Sequence, residues 1–94
     1  MDDYLTSLKN YPQSLHQEVK SFIQSIRDFN RLLRVKTKVD QELLSAFKFS
    51  GRILLSLSQK KNTFPEIGYV VDRILLKEAS PAYISMLTLT IRGN

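Results

Sequence analysis

The chain has 94 residues, of which 43% are hydrophobic and 24% are charged, and its formal net charge is +5. This composition is too apolar for a disordered chain and too polar for an integral membrane protein. A chain of this length has room for one hydrophobic core, so we expect a single domain spanning residues 1–94. There is no cysteine, which excludes disulfides and thiolate metal sites.

The N-terminal residues MDDYLTSLKN begin with two acids and contain no apolar run, which argues against a signal peptide. No run of about 18 apolar residues follows that could span a bilayer. We therefore expect a cytoplasmic protein. Within this stretch, Tyr4, Leu5 and Leu8 predict a short amphipathic turn.

A long first helix is predicted from Pro12 to about Arg34, because Pro12 disfavours helical geometry in the residue before it. Its apolar positions recur at intervals of three and four: Leu15, Val19, Phe22, Ile23, Ile26, Phe29 and Leu33. Arg34 suits the negative end of the helix dipole.

The second helix, from about Val39 to Lys61, has the widest apolar arc in the chain. Its apolar residues include Val39, Leu43, Leu44, Phe47, Phe49, Ile53, Leu54, Leu55 and Leu57. Because only a narrow strip is polar, we expect this helix to be central and covered by other helices on most sides. Gly51 lies within the arc, and its poor helix propensity suggests that a neighbouring backbone approaches it closely.

Capping signals separate the helices. Thr37 and Asp40 fit a capping box that starts the second helix. Asn62, a residue type that tolerates the left-handed backbone conformation, is expected to end this helix. Thr63 and Glu66 repeat the capping signal for a third helix. The link between the first two helices is only a few residues, so we expect them to be antiparallel.

The third helix is predicted to run to about Lys77, with an inner face of Ile67, Val70, Val71, Ile74 and Leu75. Ser80 and Pro81 predict the start of a short fourth helix that ends at Gly93. Its inner stripe would be Tyr83, Ile84, Leu87 and Ile91. The segment from Leu87 to Ile91 also alternates like a strand, but a lone strand would have no partner in this chain. The predicted fold is an all-α, antiparallel four-helix bundle.

Catalytic chemistry is not indicated. The three glycines, at positions 51, 68 and 93, form no phosphate-binding loop. His16 is the only histidine, and no other ligand at suitable spacing accompanies it, so we expect no metal site and no cofactor. We interpret the protein as a non-enzyme.

Positive charge is concentrated between residues 27 and 61, a stretch with nine basic and three acidic residues. One end of the long helices carries Arg27, Arg31, Arg34, Lys36 and Lys38. This basic surface could attract phosphates or an anionic membrane, although a solvated helix face is the commoner explanation of such charge. Sequence-specific reading of DNA is disfavoured because the intervening turn lacks a helix-turn-helix signature.

A second candidate surface belongs to the last two helices, and we predict that it binds a partner. Its residues are Tyr69, Arg73 and Leu76 on the third helix and Met86 and Arg92 on the fourth. Tyr, Arg and Met are enriched at protein interfaces. Leu89 also flanks the fourth helix's stripe, but scattered exposed apolar residues are common, and the N-terminal segment could instead wrap this helix.

The order of helices and turns between residues 15 and 92 resembles the immunity proteins that protect lactic acid bacteria and streptococci from pediocin-like (class IIa) bacteriocins. The residues that carry this resemblance are Glu42, Leu43, Leu44, Leu54, Leu57, Asn62, Phe64, Pro65, Val70, Val71, Ile74, Pro81, Ile84, Leu87, Ile91 and Arg92.

The resemblance implies a cytoplasmic, antiparallel four-helix bundle with no catalytic activity. Separately from the resemblance, we expect a monomer. The resemblance also implies a partner, the mannose permease in complex with the bacteriocin, approached from the inner side of the membrane. The C-terminal half would choose the bacteriocin. Some members use a longer C-terminal tail in specificity, and this sequence departs from them in ending at Asn94, just after the predicted fourth helix. The alternative function is that of a small basic protein that binds nucleic acid or regulates another protein.

Overall fold

In a computed structural model, which describes residues 4–35 and 40–92, most of the backbone is helical. A 3-10 helix, Tyr4–Leu8, precedes four α-helices: α1 Gln13–Arg34, α2 Asp40–Gln59, α3 Glu66–Glu78 and α4 Pro81–Arg92. Neither described range contains a strand. The all-helical prediction is therefore confirmed, including the helical rather than extended structure of the segment from Leu87 to Ile91.

Two predicted helix starts are confirmed by backbone contacts. The carbonyl of Pro12 accepts hydrogen bonds from the amides of Leu15 and His16, at 3.0 and 3.3 Å, at the start of α1. Ser80 Oγ accepts a hydrogen bond from the amide of Tyr83 at 3.2 Å, and Pro81 occupies the first position of α4.

The connection from α2 to α3 differs from the prediction. The amides of Thr63 and Phe64 both donate to the carbonyl of Lys60, so this segment is a series of tight turns that starts after Gln59. Thr63 does not cap α3, which begins at Glu66 without a side-chain cap. Asn62 is not left-handed, since no non-glycine residue in the described part has a positive φ. The capping box predicted at Thr37 lies outside the described residues.

One hydrophobic core contains the buried residues, and α1 is its central helix. α1 packs against all the other elements, including the 3-10 helix. It contributes Leu15, Val19, Phe22, Ile23, Ile26 and Phe29. Leu33, predicted as part of this stripe, is exposed because it lies in the last turn, where the helix leaves the core.

The prediction that α2 is the covered central helix is wrong. Phe47 and Leu57 are buried, but Phe49 is 56% exposed, Leu55 is 60% exposed, and Leu44 is also exposed. The molecule measures 43 × 33 × 20 Å, and 20 Å is about the thickness of two packed helices. With only two layers, one face of α2 has no neighbour.

Gly51 also differs from expectation. A Cβ atom added at this position would meet no atom within 4 Å, so no other part of the described chain approaches it closely.

Tyr83 fixes α4 onto α1 and α2. Its ring is fully buried and packs edge-on against Phe29 and Phe47, with ring centroids 5.3 and 5.5 Å away. Its hydroxyl lies 2.7 Å from Ser50 Oγ, which in turn lies 2.8 Å from Ser25 Oγ. Burial raises the pKa of Tyr83, partly offset by the hydrogen bond with Ser50. A single aromatic residue thereby joins three helices.

The N-terminal 3-10 helix packs on α3 and α1, rather than wrapping α4 as the sequence allowed. Tyr4 and Leu8 are buried in this contact. A ring nitrogen of His16 hydrogen-bonds the carbonyl of Leu8, so this histidine fastens the segment to α1.

Candidate functional site

The outer face of α3 presents large apolar side chains to solvent. Tyr69 is 64% exposed and Leu76 is 86% exposed. Both lie opposite the buried residues Ile67, Val70 and Ile74, because an amphipathic helix on a small core buries only one side. The predicted outward position of Tyr69 and Leu76 is therefore confirmed.

Arg73 lies between this outer face and the N-terminal segment. Its guanidinium carbon is 5.9 Å from the ring centroid of Tyr4 and 6.0 Å from that of Tyr69, within the range of a cation–π contact. Arg73 is only partly exposed. Arg73 therefore contacts both the exposed ring of Tyr69 and the buried ring of Tyr4.

A groove of about 590 Å³ lies between α3 and α4, next to Leu76. The residues that line it are Asp72, Leu75, Leu76, Ala79, Pro81, Ile84 and Ser85. Ile84 was predicted to face the core but is 40% exposed. The reason is that Tyr83 occupies the core, and the next residue points about 100° away around the helix.

The fourth helix adds less to this surface than predicted. Met86 is partly buried and packs against the core. Leu89 is exposed, while the side chain of Arg92 lies outside the described residues. Sequence reasoning missed Asp72 and Ile84. Asp72 and Leu76 are spaced at i and i+4, which places them on one face of α3. This spacing was the sequence signal that could have assigned Asp72 to the surface.

The predicted basic surface is partly neutralised. Nε and Nη2 of Arg27 each lie 3.0 Å from an oxygen of Glu78 at the end of α3. Nη1 of Arg31 lies 3.2 Å from Oδ1 of Asp28. Arg34 is exposed, and two further predicted members of the surface, Lys36 and Lys38, lie outside the described residues.

Two carboxylates are held ionised by long-range partners. The hydrogen bonds and charge of Arg27 lower the pKa of Glu78, despite partial burial that acts in the opposite direction. Burial raises the pKa of Glu18, but hydrogen bonds from Lys60 and Ser56, with the charge of Lys60, outweigh it and lower the pKa overall. Both contacts fasten helices together, and neither carboxylate is among the residues that line the α3–α4 groove.

No cluster of three or more potential metal ligands is found among the residues that the structure describes. Over the same residues, no helix is both long enough and apolar enough to cross a bilayer.

No protein-family model matches the chain, and neither the comparison with curated proteins nor the comparison with solved structures finds a significant match.

Proposed function

We propose that this protein is a non-catalytic immunity protein that protects a cell from a pediocin-like bacteriocin. In this proposal the helices form an antiparallel four-helix bundle in the cytoplasm. The bundle acts on the inner side of the membrane, at the complex of the bacteriocin with its receptor permease. The observation that carries the proposal is the exposed apolar face of α3 next to the α3–α4 groove. This face lies in the C-terminal half of the chain, which by the resemblance determines which bacteriocin is resisted.

The composition of this face suits protein recognition. Leu76 and Tyr69 expose apolar surface whose burial against a partner would be favourable, by about 25 cal/mol per Å². Tyr and Arg are enriched among the residues that dominate binding energy. Arg73 and Asp72 place one charge of each sign beside the apolar surface, which would fix the orientation of a bound segment.

The nucleic-acid alternative is less favoured by the observed contacts. Phosphate binding depends on cations that release counterions. Arg27 and Arg31 are paired with carboxylates, so the described part of the basic surface offers less charge than the sequence suggested. Salt-dependent retention of DNA or RNA on a filter, lost when Arg31 and Arg34 are neutralised, would support that alternative over the immunity proposal.

The test is expression in a bacteriocin-sensitive lactic acid bacterium, followed by killing assays with a panel of pediocin-like peptides. We expect tolerance to one or a few peptides to rise. A Tyr69→Ser, Leu76→Ser double variant should lose most of this protection and keep a normal thermal melt. Arg73 is not mutated in this variant, because it packs on the ring of Tyr4 and its loss could affect the fold.

The matched control is Leu44→Ser, which removes an exposed apolar side chain from α2, away from the proposed face. This variant should protect like the wild type. Unchanged killing across the whole panel would contradict the proposed function. Full protection by the double variant would show that the outer face of α3 is ordinary solvated surface.

A further inference from the structure

A second groove lies between α2 and α4, separate from the α3–α4 groove. Its volume is about 600 Å³, within the range of ligand-binding clefts. Most of its lining is apolar, with Phe47, Gly51, Leu54, Leu55 and Leu87. We propose that this groove binds an amphipathic helix of a protein partner, with acidic residues beside the helix's apolar stripe. This proposal does not depend on the immunity function.

Charge at the groove selects the acidic class of partner. Lys48 and Arg52 both line it, and both are exposed one helical turn apart on α2. No carboxylate is among the described residues that line the groove. Complementary charge at the edge of an apolar interface speeds association and rejects partners of the wrong sign. A helix with Glu or Asp next to its apolar stripe is therefore favoured.

Gly51 indicates that the partner's backbone comes close. Glycine is the poorest helix former apart from proline, and the fold does not require it here, because an added Cβ would meet no atom within 4 Å. The missing side chain leaves open space in the lining between Phe47 and Leu55. Small residues at a helix crossing allow two helix axes to approach closely. Recognition by insertion of a helix into a groove has this geometry.

Two other occupants fit less well. Phe47 lines the groove but is only 6% exposed, so a protruding side chain contacts it more readily than the flat surface of a bilayer does. A second copy of the chain, paired by a two-fold axis through the groove, would bring both copies of Lys48 and Arg52 into one interface. Like charges placed together oppose such pairing.

The probe is a synthetic helix of about 18 residues, with Leu at positions i, i+3 and i+7, Ala at the positions between them, and Glu on both flanks. A control peptide has Lys in place of every Glu. Binding is measured by fluorescence anisotropy at low salt and by amide chemical shifts in two-dimensional NMR. We expect shifts at Gly51, Leu55 and Leu87, and affinity for the acidic probe at least about tenfold above that for the control peptide.

Two variants of the full chain sharpen the test. Because Gly51→Leu fills open space, the variant should have the same thermal melt as the wild type. Its affinity for the acidic probe should be lower by about tenfold or more. Its matched control is Ser45→Leu, which adds the same side chain to an exposed position of α2 outside the groove. Lys48→Gln with Arg52→Gln should abolish the preference for the acidic probe over the basic one.

Several results would overturn the proposal. One is the absence of amide shifts at the groove with the acidic probe. A second is equal binding of both probes, which would show that charge does not select the partner. A third is binding to phosphatidylglycerol vesicles that Gly51→Leu weakens, which would assign the groove to a membrane surface. The last is a concentration-dependent dimer that Gly51→Leu disrupts, which would assign the groove to a second copy.

Discussion

At Gly51, the cost of a glycine inside a helix is not offset by any packing that the described chain provides. Replacing it by Ala lowers the entropy of the unfolded chain and creates no contact under 4 Å. We therefore expect Gly51→Ala to raise the free energy of unfolding by about 0.5 to 1 kcal/mol. Urea denaturation measures this. Gly68→Ala is the comparison, since its added Cβ would contact Lys61 Cδ at an ordinary 3.6 Å. A loss of stability in Gly51→Ala would contradict the open space at this position.

The buried hydroxyls of Ser25, Ser50 and Tyr83 form a hydrogen-bonded chain that begins at the carbonyl of Phe22. The carbonyl of Phe22 can only accept, and Ser25 Oγ lies 2.6 Å from it, so Ser25 donates there. Ser25 Oγ also lies 2.8 Å from Ser50 Oγ, which lies 2.7 Å from the hydroxyl of Tyr83.

This chain of hydroxyls predicts that the effects of mutations in it are not additive. Ser50→Ala should lower the free energy of unfolding by about 1 to 3 kcal/mol, because it leaves the hydroxyl of Tyr83 buried without its hydrogen-bond partner. Tyr83→Phe should cost about 1 kcal/mol. The double variant should cost less than the sum of the two, since it removes the stranded hydroxyl as well. Equilibrium unfolding of the four proteins gives the coupling energy, and strictly additive costs would exclude a direct link.

Glu78 joins three elements at the end of α3. Its carboxylate accepts hydrogen bonds from Arg27 of α1 and, at 3.2 Å, from the hydroxyl of Tyr4 in the 3-10 helix. Nδ2 of Asn30 donates to its backbone carbonyl at 2.8 Å. Because its side chain and its main chain are both bound, Glu78 sets where α3 ends against α1.

The contact between Arg27 and Glu78 should make the free energy of unfolding depend on pH. The folded-state pKa of Glu78 is lowered from its ordinary 4.5, so its contribution is present above that value and is lost as the pH falls through the folded pKa. Glu78→Gln should lower the free energy of unfolding near pH 7 by roughly 1 kcal/mol or less, as expected for a partly exposed pair. The difference in stability between the variant and the wild type should be smaller near pH 3. The control is Asp72→Asn, an exposed carboxylate on the same helix. A Glu78→Gln gap that is the same at both pH values would contradict the ion pair.

The helices themselves were largely predictable, because their signals are local. Pro12 and the regular apolar stripe located α1, and Ser80 followed by Pro81 located the start of α4. Thr63 misled because an equally local series of turns, built on the carbonyl of Lys60, takes precedence over its capping potential. Competing local signals cannot be ranked without knowing how the chain approaches the next helix.

The candidate site was only half predictable. Tyr69 and Leu76 could be found because they lie opposite a clear inner stripe of their own helix. Ile84 could not, since its exposure depends on how α4 rotates once Tyr83 enters the core. The pairing of Arg27 with Glu78 joins residues 51 apart in sequence, and no local pattern predicts it.

At the scale of the whole molecule, apolar content did not identify the central helix. α2 has the wider apolar arc, but α1 touches every other element and contributes the most buried side chains. A hydrophobic arc shows which positions could be buried. The number of available neighbours decides which ones are, and in a molecule 20 Å thick there are too few helices to cover both sides of α2.

Two leucines of α2, only two positions apart, test this arrangement. Leu57 is fully buried, so Leu57→Ala should leave a cavity and lower the free energy of unfolding by roughly 2 to 5 kcal/mol. Leu55 is 60% exposed, so Leu55→Ala should change it by no more than about 0.5 kcal/mol. Chemical denaturation of both variants at one protein concentration provides the comparison. If another helix or a second chain covered this face of α2, both substitutions would be similarly costly. A large loss for Leu55→Ala would therefore contradict the two-layer packing, and a large loss for Leu57→Ala alone would support it.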